Sequence, residues 1–367
     1  MDFAFSEEQQ MLRDAVASRA GDRLPEGKVA ELATSDAGWD PGSLAEMAEL
    51  GWVTLSWPEE AGGSGMGFLE ETVVIEELGK ALYPGPYLSS VALAAPALRR
   101  SPELLGRIAA GEGATLAWAE PEGPWTFEDL ESVGTKAAQN GGGWTLTGVK
   151  DLVPDLGACS FAVVVARSPE GLGLWAVDVA GAGVEASVLP TVDATRRLGR
   201  LTLTDAPAQL VVAPDAAGDV LRGVRLRTLA ALAIEAVGVA STAVDLARSY
   251  VSERKQFEKP IGAYQAVSHQ VTDSYMAVEL ARSLAYWAAW CVDQHDPQAP
   301  VAVAAAKASA GEAAVFACER AIQVHGGIGF TWEHVLHRYY KRAQWIATFE
   351  GAGSHHREIV AQRLLDA

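Results

Sequence analysis

The sequence predicts an α+β protein, mainly α, in the order helical, β, helical: an N-terminal helical domain (residues 1–113), a middle antiparallel β-barrel or sandwich domain (114–215) and a C-terminal four-helix bundle (216–367). Three observations carry that reading. Apolar residues recur at helical spacing in the first third, Thr- and Val-rich alternation broken by turn signals fills the middle, and long helical patterns then return and hold to the end. A chain of 367 residues can bury a substantial core and is long enough for two or three domains.

In the first domain, Ser6 with Gln9 three positions later is a capping-box signature, followed by the apolar stripe Phe5, Met11, Leu12 and Val16. A second helix is expected from Pro41 through Leu50. The run from Trp57 to Gly65 is a loop that feeds a helix at 69–82, with Val73, Val74, Ile75 and Leu78 as its apolar positions. Pro84, Gly85 and Pro86 break the chain before the alanine-rich segment 88–98. In the middle domain, Ala138–Thr147 has the pattern of strand, glycine turn, strand. Strands are also expected at Phe161–Ala166, Leu174–Val179, Val184–Leu189, Gly199–Leu203 and Gln209–Val212. Helices are expected at 217–253, 263–294, 300–323, 332–345 and 353–365, and their short connections suit a bundle.

Hydrophobic content of 49% and charged content of 21% describe a soluble globular protein. No stretch is expected to span a membrane, since the Ala/Leu-rich run at 228–240 contains Glu235. MDFAFSEEQQ is too acidic and polar for a signal peptide. Cys159, Cys291 and Cys318 are odd in number and far apart, so a reducing cytoplasm is expected. A formal net charge of −18 argues against nucleic acid as a partner. An anionic small ligand would need local positive charge, and Arg254-Lys255…Lys259 and Arg338…Lys341-Arg342 are two such places; each is equally a solvated helix face. No metal is expected, because neither His334/His337 nor His355/His356 has the H-E-x-x-H arrangement. Nucleotide-binding G-x-G-x-x-G after a strand, the P-loop pattern and G-x-S-x-G are all missing.

What remains lies near the C-terminus. His325-Gly326-Gly327-Ile328-Gly329 is either a helix cap or a place where backbone approaches a ligand. Glu350, between Phe349 and Gly351, is either an exposed loop residue or a shielded general base.

Domain order and motifs together resemble the acyl-CoA dehydrogenase family over essentially the whole chain. Leu50-Gly51-Trp52, Pro58–Gly65 and Glu76-Glu77-Leu78-Gly79 are similar to the family's LGW, PEExGGsG and EELG segments. Arg254-Lys255-Gln256-Phe257 with Pro260-Ile261 and Gln265-Ala266 resembles its RxxFGxPI…QA motif, and Gln323–Phe330 resembles QxxGGxGF. The resemblance implies FAD between the β domain and the bundle, with part of each site supplied by a neighbouring subunit. It gives Arg254 the FAD pyrophosphate, sets Gln256, Phe257, Tyr264 and Gln265 beside the same FAD, and sets Gln323, Gly326 and Gly327 against the adenosine half. Phe349-Glu350-Gly351 resembles YEG, which implies Glu350 as the catalytic base. The implied reaction removes the α-proton of an acyl-CoA substrate while a hydride leaves the β-carbon for flavin N5, giving the trans-2-enoyl-CoA. Electron-transfer flavoprotein is the implied acceptor, and a homodimer, homotetramer or heterotetramer with a related subunit the implied assembly. Other subfamilies carry the base on an earlier helix; the matching residue here is Thr228, which cannot serve, and Glu235 two turns on is a polar packing residue or a second base.

The match is weakest in the β domain. TEPxxGSD is here Ala119-Glu120-Pro121-Glu122-Gly123-Pro124-Trp125, and WIT is Leu152-Val153-Pro154. The motif glycine after Phe257 is Glu258. Such erosion leaves two further readings beside the dehydrogenase: a non-catalytic or half-site partner subunit of a heteromeric enzyme, and a flavin oxidase or monooxygenase on the same fold.

Overall fold

The computed structural model describes residues 5–25, 27–123 and 125–365. The first four residues of the acidic N-terminal run and Pro124 of the 119–125 segment lie outside the described residues. The chain begins with α1 (Glu7–Arg23), α2 (Lys28–Thr34), α3 (Pro41–Glu49) and α4 (Phe68–Lys80). A π-helical turn at Ser89–Ala94 runs into the short α5 (Ala95–Ala97), and α6 (Pro102–Ala109) precedes the strands. These are β1 (Ala114–Ala117), β2 (Lys136–Asn140), β3 (Gly143–Pro154), β4 (Phe161–Ser168), β5 (Gly171–Asp178), β6 (Val184–Val188) and β7 (Leu198–Val212). Then come α7 (Pro214–Glu253), the two-residue strands β8 (Lys255–Gln256) and β9 (Lys259–Pro260), α8 (Gln265–Asp293), α9 (Ala299–His325), α10 (Leu336–Thr348) and α11 (Gly353–Leu365).

Ser6 caps α1 reciprocally: its Oγ accepts from the Gln9 N–H at 3.1 Å, and Gln9 Oε1 accepts from the Ser6 N–H at 3.0 Å. Asp40 caps α3, with Pro41 at the first helical position. The described residues fall into two compact units that interleave along the chain. A helical unit takes residues up to 30, 68–83 and from 229 onward; a strand-containing unit takes 31–67 and 84–228. The boundaries expected near 113 and 215 therefore do not match these units. Helix α4 packs on α1 and α8, which draws both early helices into the C-terminal helical unit.

The strand-containing unit holds one seven-stranded sheet that is mixed, where the sequence suggested an antiparallel one. Strand β1 runs parallel to β4 from Ala114↔Phe161 to Ala117↔Val164, and β2 meets β4 in one parallel pair, Lys136↔Arg167. Parallel neighbours need a long crossover, and residues 118–160, which include the β2–β3 hairpin, supply it between β1 and β4. The remaining pairs are antiparallel, and the pairings β4–β2–β3–β7–β5–β4 form a closed circuit. The strands expected at 199–203 and 209–212 are one strand, β7. Asp205, with φ 48°, absorbs the irregularity near the register shift between Leu146 and Gly148. Leu146, Val164, Trp175, Leu201 and Leu203 are among the core residues of this sheet.

In the helical unit, α4 and α7 approach until backbone meets backbone. A Cβ on Gly238 would lie 2.3 Å from the Glu76 carbonyl oxygen, and one on Gly79 would lie 2.7 Å from that of Glu235. Beside this contact the Glu76 carboxylate is fully buried among Arg282, Arg13, Lys80 and the Tyr286 hydroxyl, which donates to Oε2 at 2.7 Å. Helices α7 and α9 contain windows long and apolar enough to cross a membrane, contrary to the sequence expectation. Since 78% and 67% of those windows are buried inside the protein, they have the character of core helices.

Burial alone would push the Glu76 carboxyl up, but Arg282, Lys80, Tyr286 and Arg13 together hold it below its ordinary value of 4.5. Its contribution to stability is therefore present above that value and lost as pH falls through the folded one. Glu76→Gln, which leaves buried cations uncompensated, is expected to cost about 3 kcal/mol at pH 7. In urea unfolding its midpoint should fall below wild type at pH 7 and approach it in acid; equal midpoints at pH 7 would refute the role of this cluster.

Candidate functional site

Residues singled out in the sequence gather at three places in the helical unit. At the first, Arg254 ends α7 and a two-residue hairpin joins β8 to β9. Its turn residues, Phe257 and Glu258, have φ of 52° and 69°, as a type I′ turn requires. Glu258 thus holds a left-handed conformation at the position where the motif carries glycine. The Ile261 N–H donates to the Arg254 carbonyl at 2.8 Å, and the Tyr264 hydroxyl donates to the Gln256 carbonyl at 3.3 Å. Gln265 is the first residue of α8. Arg254, Gln256, Phe257, Tyr264 and Gln265 are therefore brought together, with Phe257 87% exposed.

At the second place, α9 stops at His325 and a 3-10 turn runs from Gly326 to Phe330. Gly326 has φ 65°, and a Cβ built on Gly326 or Gly327 meets nothing within 4 Å. Gly329 differs: it is buried, and a Cβ there would lie 2.8 Å from the Ile322 carbonyl oxygen, so its smallness serves packing. A cleft of about 600 Å³ is lined by Gln323, Gly326, Phe330, Trp332, Tyr340 and Lys341, among others. The His325 ring stacks on Tyr250 of α7 at 4.2 Å between centroids, which sets the ends of α7 and α9 side by side. His337, also lining the cleft, is pushed down to about 4 by burial and by Arg338 and Lys341, so it is a neutral imidazole near pH 7.

Glu350 occupies the third place, the turn between α10 and α11. It is 3% exposed with φ 60°, and Gly351 follows at φ 101°. Phe349 stacks on Trp345 at 4.5 Å between centroids. Two neighbours escaped the sequence reading. His356 Nε2 lies 3.0 Å from the Glu350 carbonyl oxygen, and Lys307 of α9, 1% exposed, points its Nζ at the carbonyls of Gly351 (3.3 Å) and Ala347 (3.5 Å). Burial pushes the Lys307 ammonium down to about 8, against the pull of the Glu350 charge.

Glu235 is a buried ion-pair partner: its Oε1 accepts from Arg342 at 2.5 Å, and Arg342 also reaches the Tyr83 carbonyl at 3.5 Å. In the strand-containing unit, the buried Thr228 hydroxyl donates to the Val224 carbonyl at 2.8 Å. There too, Glu120 accepts from Lys150 at 2.6 Å, from the Gly134 and Thr135 N–H groups and from the Thr135 hydroxyl, tying the 119–135 loop to β3. Leu152 sits where the register with β7 shifts, with φ 53° and 39% exposure.

Comparison with known proteins fits this arrangement. The profile described as "Acyl-CoA dehydrogenase, N-terminal domain" matches residues 6–101, and "Acyl-CoA dehydrogenase, C-terminal domain" matches 227–365. Acyl-CoA dehydrogenase IpdE2 of Mycobacterium tuberculosis is 33% identical over 344 residues, 93% of this chain and 92% of that protein. The chain belongs to the acyl-CoA dehydrogenase family. A second member, FadE27 of Mycobacterium tuberculosis, is 30% identical over 94% of this chain and 93% of its own. Among solved acyl-CoA dehydrogenase structures, the Tcur3481-Tcur3483 steroid ACAD has a TM-score of 0.86 at 29% identity, covering 98% of both chains. The ChsE4-ChsE5 complex from Mycobacterium tuberculosis has a TM-score of 0.88 at 28% identity, covering all of both chains. Acyl-CoA dehydrogenases are FAD-dependent oxidoreductases. The helical unit suits that cofactor, with open backbone at Gly326 and Gly327, an adjoining cleft and an exposed guanidinium at Arg254.

Because Glu235 is the buried partner of Arg342, Glu235→Gln is expected to destabilise the protein by about 3 kcal/mol. A thermal melt checks this, and a melting temperature equal to wild type would show that the pair contributes nothing.

Proposed function

We propose that this chain catalyses the α,β-dehydrogenation of an acyl-CoA thioester to the trans-2-enoyl-CoA, with Glu350 taking the α-proton. The carrying observation is the Glu350 turn: a buried carboxylate fixed by a left-handed backbone, next to an aromatic stack and a buried ammonium. A carboxylate is too weak a base for the α-proton of a free thioester, so the thioester carbonyl must be polarised as the proton leaves. The Trp345–Phe349 stack beside the turn helps to keep water from the carboxylate. FAD, when bound, supplies the acceptor for the hydride that leaves the β-carbon. Arg254 would hold its pyrophosphate, Gln256, Phe257, Tyr264 and Gln265 would flank it, and Gln323, Gly326 and Gly327 would meet the adenosine half.

Sharing of that site between subunits is supported by the high exposure of Phe257, Phe330 (85%) and Trp332 (74%), apolar surface of the kind that a second chain covers. The assembly is a homodimer, a homotetramer or a heterotetramer with a related subunit, and an electron-transfer flavoprotein is the expected acceptor. All three cysteines are free and buried, which supports a reducing compartment such as the cytoplasm. Steroid-derived CoA thioesters belong in the first substrate panel, since one similar structure is a steroid ACAD. A second reading, a supporting subunit of a mixed assembly, is favoured by the Leu152 bulge, whose aliphatic side chain offers a flavin neither a ring to stack on nor a hydroxyl. A colourless protein when expressed alone, turning yellow only with a partner, would select that reading.

Glu350→Gln is expected to lower turnover about 10³-fold with flavin still bound. Turnover near wild type in that variant would remove Glu350 from the role. Arg254→Ala and Gly327→Val are each expected to lower the ratio of 450 nm to 280 nm absorbance in the purified protein, the first by losing a charge-assisted contact and the second by filling open backbone space. A full flavin complement in both would refute the assignment of this end of the helical unit.

A further inference from the structure

Lys307 is the one cation of α9 before Arg320, set in a run of alanines and 1% exposed. A buried ammonium needs acceptors, and those near Lys307 belong to one short stretch of chain. Its Nζ lies 3.5 Å from the Ala347 carbonyl in the last turn of α10 and 3.3 Å from the Gly351 carbonyl, bracketing Glu350 in sequence. A cation at a helix C-terminus is favoured by the carbonyl dipoles there. The bracketed residue is also in the left-handed region, a conformation that persists in a non-glycine residue only where its surroundings enforce it. Electrostatic attraction between Lys307 and Glu350 completes the arrangement.

We propose that Lys307 is a positioning residue for the base: from α9 it clamps the α10–α11 turn through the Ala347 and Gly351 carbonyls and keeps the Glu350 carboxylate ionised and aimed. The proposal rests on the reading of Glu350 as base. Other ionisable groups around the turn in this unit are His356, whose ring nitrogen meets the Glu350 carbonyl oxygen, and His355, which crowds Gly351. Glu312 of α9 and Arg357 of α11 are engaged with each other. Lys307 is the cation in this group that is both buried and directed at the turn.

Removing a nearby cation disfavours an ionised carboxylate. In Lys307→Met the acidic limb of the kcat/KM–pH profile is therefore expected to move up by about one pH unit, and Lys307→Arg should return it toward wild type. Packing loss alone would lower the whole profile without moving the limb, and that result would overturn the proposal. Melting temperatures of wild type, Lys307→Met, Glu350→Gln and the double variant give a readout independent of activity. The loss caused by Lys307→Met should be smaller in the Glu350→Gln background; equal losses in both backgrounds would overturn the coupling. If the methionine variant does not fold, Lys307→Gln supports both comparisons. Failure of the base reading is distinguishable, because it appears as normal turnover in Glu350→Gln whatever the melting cycle gives.

Discussion

The helical unit depends on a backbone-to-backbone contact between α4 and α7, flanked by two buried ion pairs. Gly79 and Gly238 let the helices close, Glu76 of α4 engages Arg282 of α8, and Glu235 of α7 engages Arg342 of α10. Buried pairs of this kind add little net stability over an apolar core, but a shift in helix register would strand a charge without its partner. Four helices are thereby indexed to one another. The hairpin that follows α7 and the turn that follows α10 inherit that indexing, and these carry Arg254 and Glu350.

Much of this architecture was legible in the sequence. Long periodic segments gave α4, α7, α8, α9 and α11 to within a few residues, and the Ser6–Gln9 pair gave a true capping box. Short elements were not legible: α2, α6 and β1 carry too few residues for a period to stand out. Nor were the parallel pairings, since strand register is a property of distant partners. The candidate site was legible only through motif resemblance. Periodicity and spacing alone left Gly326 as a possible cap and Glu350 as a possible loop residue. Lys307 did leave a trace, as a lone charge in an alanine run, but nothing local says that its acceptors lie 40 and 44 residues further along. Glu235 and Arg342 were likewise visible as charges and invisible as a pair.

The strand-containing unit keeps one part of the family pattern and alters another. Glu120, retained from the eroded TEPxxGSD segment, anchors its loop through Lys150, whose buried ammonium is pushed down to about 8 by desolvation against the pull of that carboxylate. The Leu152–Pro154 segment differs in backbone as well as in side chains. Leu152 and Asp155 both take left-handed φ, and the ladder with β7 slips between Lys150 and Val153. Restoring the motif side chains would leave the slipped ladder in place.

Helix α9 links the ends of this scheme mechanically. Lys307 and Gln323 stand on the same unbroken helix, sixteen residues or about 24 Å of axial rise apart. A single rigid rod thus spans from the turn that bears Glu350 to the open glycines beyond His325. Bending or rotating it would disturb both in concert, so their separation behaves as a fixed gauge length. One residue inserted between Lys307 and Gln323 would turn one end by about 100° against the other. Tolerance of insertions should therefore be least in the part of the chain whose composition, alanine after alanine, looks most permissive.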